Sequence, residues 1–408
     1  MTRRTITLFG NFGTQNLGNE YTLQAMLDNL RKRLPDARFN CVCPDPDDVA
    51  ARYRIPGVLM SYRYAKGFRS AGARSGRVIT FLRRLFVRLP LEVVEWVKAY
   101  RALADTRMLV MTGTGMLGDF GIGPLGLHYQ ILKWSIVAKL RGARLLFVSV
   151  GAGPIAHPLS RWIVKRAISL ADYRSYRDPF SKEYLARIGF DTRRDFVYPD
   201  LAFSLEHKIR GAHARQGNRR VAGVGLMDYY GSRSSPERGE HVYRRYVEKM
   251  AAFIGWLLDR EYAVQLMIGD VAYDTRVRQD VKRMLQERNP GRGKGKLVDA
   301  PISSVEDLVA QLADTDVVVA TRFHNVLLAL MLDKPVVALS YHEKIASLMS
   351  GVGLGEYCHD VDRLDVPRLV EQFTKLEQNA GTARTIVERK KQEYRRALDE
   401  QYAIISHL

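Results

Sequence analysis

The sequence predicts an α/β protein made of two parallel-sheet halves. Three observations carry this expectation. Short β-branched or apolar runs recur along the chain, each ends in a Gly-rich turn, and each turn opens a stretch with helical spacing of apolar residues. Strands that are apolar on both sides and alternate with helices belong to parallel sheets covered on both faces. A length of 408 residues also suits two or three domains rather than one.

In the first half the runs are TITLFG (5–10), MLVMTG (108–113) and RLLFVSVG (144–151). In the second they are VAGVGLM (221–227), AVQLMIG (263–269), DVVVAT (316–321) and PVVALSY (335–341). The polar, basic segment EHKIRGAHARQGNRR (206–220) separates the two series and marks a boundary. The expected organisation is a Rossmann-like domain over 1–205, a second over 206–375 facing it across a cleft, and a helical tail over 376–408 that packs back on the first. No repeat of 20–50 residues is evident.

The composition, 46% hydrophobic and 26% charged, is globular and excludes wholesale disorder. A formal charge of +19, from 63 Lys+Arg against 44 Asp+Glu, points to anionic partners: nucleic acid, an anionic membrane face, or phosphorylated and acidic substrates. Nucleic acid is not expected, because no binding-module motif accompanies the charge. Cys41, Cys43 and Cys358 are too few and scattered for a disulfide framework or a four-cysteine zinc site, and they fit a reducing compartment. MTRRTITLFGNFG reads as a first strand rather than a signal peptide, and no run reaches about 18 apolar residues, so no transmembrane helix is expected. A cytoplasmic protein follows, with peripheral contact at an anionic membrane as one reading of the stretch 52–101. That stretch carries twelve Lys and Arg against Glu92 and Glu95, interleaved with Tyr62, Phe68, Phe81, Phe86 and Trp96. It suits either an anionic lipid surface or a solvated insertion whose Arg stems cover apolar surface.

Three Gly-rich strand ends lie in the first half. GNFGTQNLGNE (10–20) opens a helix near Asn19 and is either a tight turn or an anion or sugar site; it lacks the Gly-Lys-Ser/Thr of a P-loop. TGTGMLGDFG (112–121) brings Gly113 and Gly115, which permit close backbone approach, and Asp119, which could bond a sugar, act as a base, or cap the next helix. GAGP (151–154) ends its strand in the same way, with Gly153. Together they suggest a floor for a bulky ligand. Arg177-Asp178, before Pro179, offers a structural ion pair or a contact to an anion. Asp200 in YPDLAF sits at another strand end.

The strongest signal is TRFHN (321–325), after the buried run DVVVA. Phe323 turns inward, Arg322 and His324 flank it, and Asn325 begins a helix. A guanidinium, an imidazole and a helix N-terminus are three attractions for one anion. Arg gives bidentate geometry to carboxylate or phosphate, and His exchanges protons near neutrality. Lys344 in SYHEK adds a further positive group. No DxD-type pair, HExxH or Cys/His cluster is present, so no metal or other cofactor is indicated.

Taken in order, NFGTQNLGNE, TGTGMLGD, GAGP, SYRDPFSKEYLARIG, YPDLAF and TRFHNVLLALMLDKPVVALSYHEKIASLMSGVGL resemble the polysaccharide pyruvyltransferase family over most of the chain. The resemblance implies a GT-B-like fold. It also implies transfer of pyruvate from phosphoenolpyruvate to saccharide hydroxyls as a ketal, with release of phosphate. Arg322 and His324 match the family's Arg-x-His pair that contacts phosphoenolpyruvate, and Arg177 falls in its Arg-Asp motif. Asn16, Gly18 and Asn19 fall where members often read Gly-Asp. His324 is then the expected proton donor and Asp119 the expected base for the acceptor hydroxyl. The acceptor is a saccharide in exopolysaccharide or cell-wall synthesis, lipid-linked if the stretch 52–101 meets a membrane. The rivals are a GT-B glycosyltransferase using a nucleotide sugar and a non-catalytic glycan-binding or membrane-scaffold protein.

Overall fold

The computed structural model describes the chain except residues 1–4, 15, 63–88, 120–122, 206–218, 232–235, 272, 289–290 and 292–294. The centre of the basic stretch 52–101 and most of the boundary segment 206–220 therefore lie outside the described residues. The chain forms two compact units. The first comprises Met1–Thr14, Thr22–Leu201 and Glu400–Leu408; the second comprises Gln15–Tyr21 and Ala202–Asp399. Residues 15–21 thus join the second unit rather than the expected first domain, and the tail 376–399 joins the second unit too.

Seven parallel strands build the first unit: β1 (Thr5–Phe9), β2 (Arg38–Cys43), β3 (Gly57–Leu59), β4 (Thr106–Thr112), β5 (Arg144–Val150), β6 (Tyr173–Tyr176) and β7 (Phe196–Val197). Their order is β3-β2-β1-β4-β5-β6-β7, so the sequence direction reverses between β1 and β4. The long apolar runs take the centre because both faces are covered; every residue of β1 is buried. Phe9, Phe147 and Trp134 anchor the core between sheet and helices. Helices start where their caps allow. Asp178 accepts the Ser181 N–H at 2.7 Å immediately before Pro179, whose fixed φ suits the first helical position. The ends of the basic stretch are integral to this unit. Arg52 lies in the helix Pro46–Tyr53, β3 forms the sheet edge, and the helix Leu89–Ala102 packs inward.

The chain terminus is tied to the same sheet. Ser149 has φ 47°, which interrupts the β5–β6 pairing. The Ser149 hydroxyl donates to Gln401 Oε1 at 2.9 Å, and the Gln401 amide donates to Ser175 Oγ at 3.1 Å. Tyr402 is fully buried and donates to the Ala25 carbonyl. These contacts explain why residues 400–408 belong to the first unit.

The second unit has six parallel strands: β8 (Val221–Leu226), β9 (Ala263–Ile268), β10 (Leu297–Val298), β11 (Val317–Ala320), β12 (Val336–Ser340) and β13 (Cys358–Asp360). The order β10-β9-β8-β11-β12-β13 repeats the doubly wound plan, with its reversal between β8 and β11. In open sheets of this kind, ligands bind beyond the carboxyl ends of the strands at that reversal.

Candidate functional site

In the second unit, β11 ends at Ala320 and the helix Phe323–Met331 begins two residues earlier than the expected Asn325. Arg322 is its N-cap, extended at φ −74° and ψ 133°, and Phe323 is buried, so the turn is completed at once. The Arg322 side chain, 22% exposed, lies beside the fully buried Asp274. Nε donates to Oδ2 at 2.8 Å and Nη2 to Oδ1 at 2.5 Å, a bidentate pair. The same carboxylate accepts the backbone N–H groups of Asp228, Asp270 and Gly269 at 3.0, 3.0 and 3.3 Å. Burial disfavours the charged guanidinium, but the hydrogen bonds and charge of Asp274 more than offset it, so the Arg322 pKa is raised. Nη1 has no protein partner among the described residues. The guanidinium is thus locked as a cation with one nitrogen in reserve.

His324 stands on Gly18. A Cβ built on Gly18 would fall 1.8 Å from Nδ1 of the ring, so glycine is required for the imidazole to rest there. Gly18 belongs to the first turn of the helix Leu17–Arg33, whose first residues lie in the second unit. The imidazole therefore meets the N-terminus of that helix as well as its own, and both ends favour an anion. Asn16 fixes this segment: its amide donates to Asp270 Oδ2 at 3.3 Å, it forms an antiparallel bridge with Asp270, and its Oδ1 accepts the Asn19 N–H at 3.4 Å. Lys344, in the first turn after β12, sits with Nζ 5.6 Å from the Phe323 ring centre and 5.0 Å from that of Tyr341. Arg322, His324, Lys344, Asn16, Gly18 and Asn19 are all in the second unit.

The remaining expected site residues lie in the first unit. Gly113 and Gly153 are explained by packing. A Cβ on Gly113 would lie 2.9 Å from Leu201, and Gly153 has φ 73° with the Tyr184 ring 2.4 Å from its virtual Cβ. The loop holding Gly115 and Asp119 pairs with the loop after β5 through Leu117 and Ala152. Asp119 caps none of the described helices: its Oδ2 accepts the Ala156 N–H at 2.8 Å and its own N–H reaches the Pro154 carbonyl, which clamps the two loops. Arg177 meets the carboxylates that an ion pair requires. It is 6% exposed, lies 3.5 Å from Asp178 and 3.6 Å from Asp200, and packs against Gly151.

Four residues that sequence reasoning passed over matter here, and so does Asn325, which it read only as a helix start. Asp274 and Asp270 come from GDVAYD, after β9, where paired carboxylates behind a buried strand were the available signal. Asp228 follows β8; burial raises its pKa first of all, and its Oδ1 finds no partner among the described residues. His128 is fully buried below the Asp119 loop, donating from Nε2 to the Gly118 carbonyl at 3.1 Å. Burial lowers its pKa despite that bond, which keeps it neutral. Asn325 is fully buried between Gly225 and Gly269, and its amide finds no partner among the described residues.

Solved structures share this architecture. A putative UDP-N-acetylglucosamine 2-epimerase from Listeria monocytogenes aligns with a TM-score of 0.61 at 12% identity, over 94% of this chain and 91% of that one. UDP-GlcNAc 2-epimerase from Neisseria meningitidis, bound to UDP-GlcNAc, aligns with a TM-score of 0.58 at 11% identity, over 97% and 100%. A glycosyltransferase from Rickettsia africae gives 0.55 at 12% identity, over 99% of each chain. At such identities the likeness is one of fold, the GT-B arrangement of two parallel-sheet α/β domains. No curated sequence matches the chain significantly. The family model for polysaccharide pyruvyl transferase matches residues 16–343, from the Asn16 segment through the Arg322 and His324 turn to the start of the Lys344 helix. The chain belongs to the polysaccharide pyruvyl transferase family and is a transferase acting on polysaccharides.

Proposed function

We propose that the protein transfers pyruvate from phosphoenolpyruvate to hydroxyls of a saccharide, as a ketal, in exopolysaccharide or cell-wall polysaccharide synthesis. The observation that carries this reading is the Arg322 guanidinium held by the buried Asp274, with His324 two residues on and Lys344 on the neighbouring turn. Phosphoenolpyruvate presents a carboxylate and a phosphate on one small frame, and a fixed cation beside helix N-termini suits both groups.

In the proposed reaction His324 delivers a proton to the methylene carbon of phosphoenolpyruvate, leaving an oxocarbenium-like centre at C2. A saccharide hydroxyl oxygen bonds to C2, and its proton is taken up by a base. The bond from C2 to the phosphate oxygen breaks and phosphate leaves with the pair, held by Arg322 and Lys344. A second hydroxyl of the same saccharide then bonds to C2 and closes the ketal. Of the two hydroxyl protons, one ends in the new methyl group and the other on phosphate. Asn16, Gly18 and Asn19 then shape the surroundings of His324, Gly18 by setting the height of the imidazole, and Asp119, Gly113, Gly115, Gly153 and Arg177 are the substrate-contacting residues proposed for the first unit. No cofactor is required by this balance.

The acceptor is proposed to be lipid-linked during assembly. A nucleotide-sugar glycosyltransferase is the second reading, favoured by fold neighbours solved with UDP or UDP-GlcNAc bound. Incubation with phosphoenolpyruvate and the host's glycan precursors, followed by mass spectrometry, separates the two. A pyruvyl increment with phosphate release supports the proposal; transfer of a sugar from UDP-sugar without phosphoenolpyruvate consumption contradicts it.

A further inference from the structure

The helix Leu89–Ala102 of the first unit is apolar on its outer face as well as on its inner one, where Ala99 and Trp96 join the core. Its inner face carries Glu95, buried and ion-paired with Lys133 at 2.7 Å, while Ser61 donates to the same carboxylate at 2.9 Å. Its outer face carries Val93, Val94, Val97 and Tyr100, between 42% and 61% exposed, with Leu91 beside them. Val93, Val97 and Tyr100 are spaced i, i+4, i+7 and so form one stripe. An exposed apolar stripe of this length marks an interaction surface.

The fringe of the stripe is basic. Lys98 and Arg101 are exposed on the same helix, and the Arg141 guanidinium lies 4.5 Å from the Tyr100 ring centre. At the helix's C-terminal end a cavity of about 650 Å³ is lined by Arg31, Arg38, Arg54 and Arg101, with Asp105 as the one acidic residue of its lining among the described residues. Arginines near helix C-termini are often there only to complement the helix dipoles. Three helices end at this cavity, each worth roughly −0.5 charge, so with Asp105 they offset about 2.5 of the four positive charges. An excess of positive charge is left over. Of the acidic residues of the stretch 52–101, Glu95 is buried, and both it and the 28%-exposed Glu92 are ion-paired with Lys133.

From the juxtaposition of this stripe with a basic cavity and fringe, we propose that the helix Leu89–Ala102 docks the first unit on an anionic lipid surface. Its valines and Tyr100 would enter the boundary of the acyl chains, and the arginines of the cavity would face lipid phosphates. A second copy of the chain fits less well. A two-fold contact on this face would set Lys98, Arg101 and Arg141 against their own copies. The proposal rests on the first unit alone and is independent of the donor chosen at Arg322.

The test is flotation of the full chain with vesicles of phosphatidylcholine and with vesicles that also contain phosphatidylglycerol. The wild type is expected to float with the mixed vesicles at least about tenfold better than with the neutral ones, and to release as salt is raised. Val93→Glu combined with Val97→Glu is expected to weaken that binding by about tenfold or more, with an unchanged melting curve because both side chains are exposed. Equal binding of the double variant and the wild type would overturn the proposal, as would wild-type protein that stays with the aqueous phase. Vesicle-free self-association abolished by the double variant would assign the stripe to a second copy and also overturn it. Saturable binding of free glycerol phosphate without flotation would assign the cavity to a soluble anion, with the same consequence.

Discussion

Arg322 is fixed in place, because Asp274 holds two of its three nitrogens and the backbone of two neighbouring strand ends holds Asp274. Asp274→Asn should keep the shape but lose the charge, so the guanidinium gains freedom. Its kcat/KM for phosphoenolpyruvate is expected to fall about 10- to 100-fold, read by phosphate release. Removing the arginine instead leaves a buried carboxylate without its counter-charge, and Arg322→Ala should lower stability by about 3 kcal/mol in denaturant titration as well as remove activity. Gly18→Ala drives a methyl group into the His324 ring and should cost about 1–3 kcal/mol as overpacking, with a larger loss in turnover. The turn that carries Arg322 and His324 was legible because it follows a buried strand directly. Asp274 was not, because it lies 48 residues away and only the sheet order brings the end of β9 to within one strand of β11, with β8 between them. Asp228 carries a pH signature. Its folded-state pKa is raised by burial, so stability is greatest below the ordinary carboxyl range and is lost as pH rises through the raised value. Asp228→Asn should therefore gain stability relative to wild type at neutral pH, and the gain should vanish in acid, as pH-dependent melting would register.

The long central strands could be read at the scale of elements because their apolar runs had no competing pattern; β1, β8, β9 and β11 are buried throughout. The edge strands could not. β3 and β13 have three residues each, β7 and β10 two, and their half-exposed residues carry no alternation to detect. Asp119 was open between capping, base and sugar contact, and tertiary structure decided against the cap: the next described helix, Leu127–Leu140, starts at Gly126 without a side-chain cap. Where caps were local, the chemistry is direct. Ser304 and Asp307 form a reciprocal capping box at the helix Val305–Ala313. Ser304→Ala is expected to lower the stability of the second unit by about 1 kcal/mol, visible in its thermal transition.

For the whole molecule, the division into units follows contacts rather than sequence order. Residues 15–21 belong with the second unit because Asn16 bridges Asp270 and Gly18 receives His324. Residues 400–408 belong with the first because Gln401 and Tyr402 are buried there. Neither exchange leaves a mark on hydropathy, which is why the expected boundaries were single cuts. Truncation after Asp399 exposes the Tyr402 site and the Ser149–Ser175 pair, and should lower the stability of the first unit by on the order of 4 kcal/mol, seen in calorimetry as an earlier transition. The central claim is that the Arg322 and His324 turn, braced by Asp274, receives phosphoenolpyruvate. Isothermal titration with phosphoenolpyruvate tests it most directly. Saturable binding by the wild type, at least about tenfold weaker in Asp274→Asn, is the expected result. No binding of phosphoenolpyruvate together with saturable binding of a UDP-sugar would contradict it.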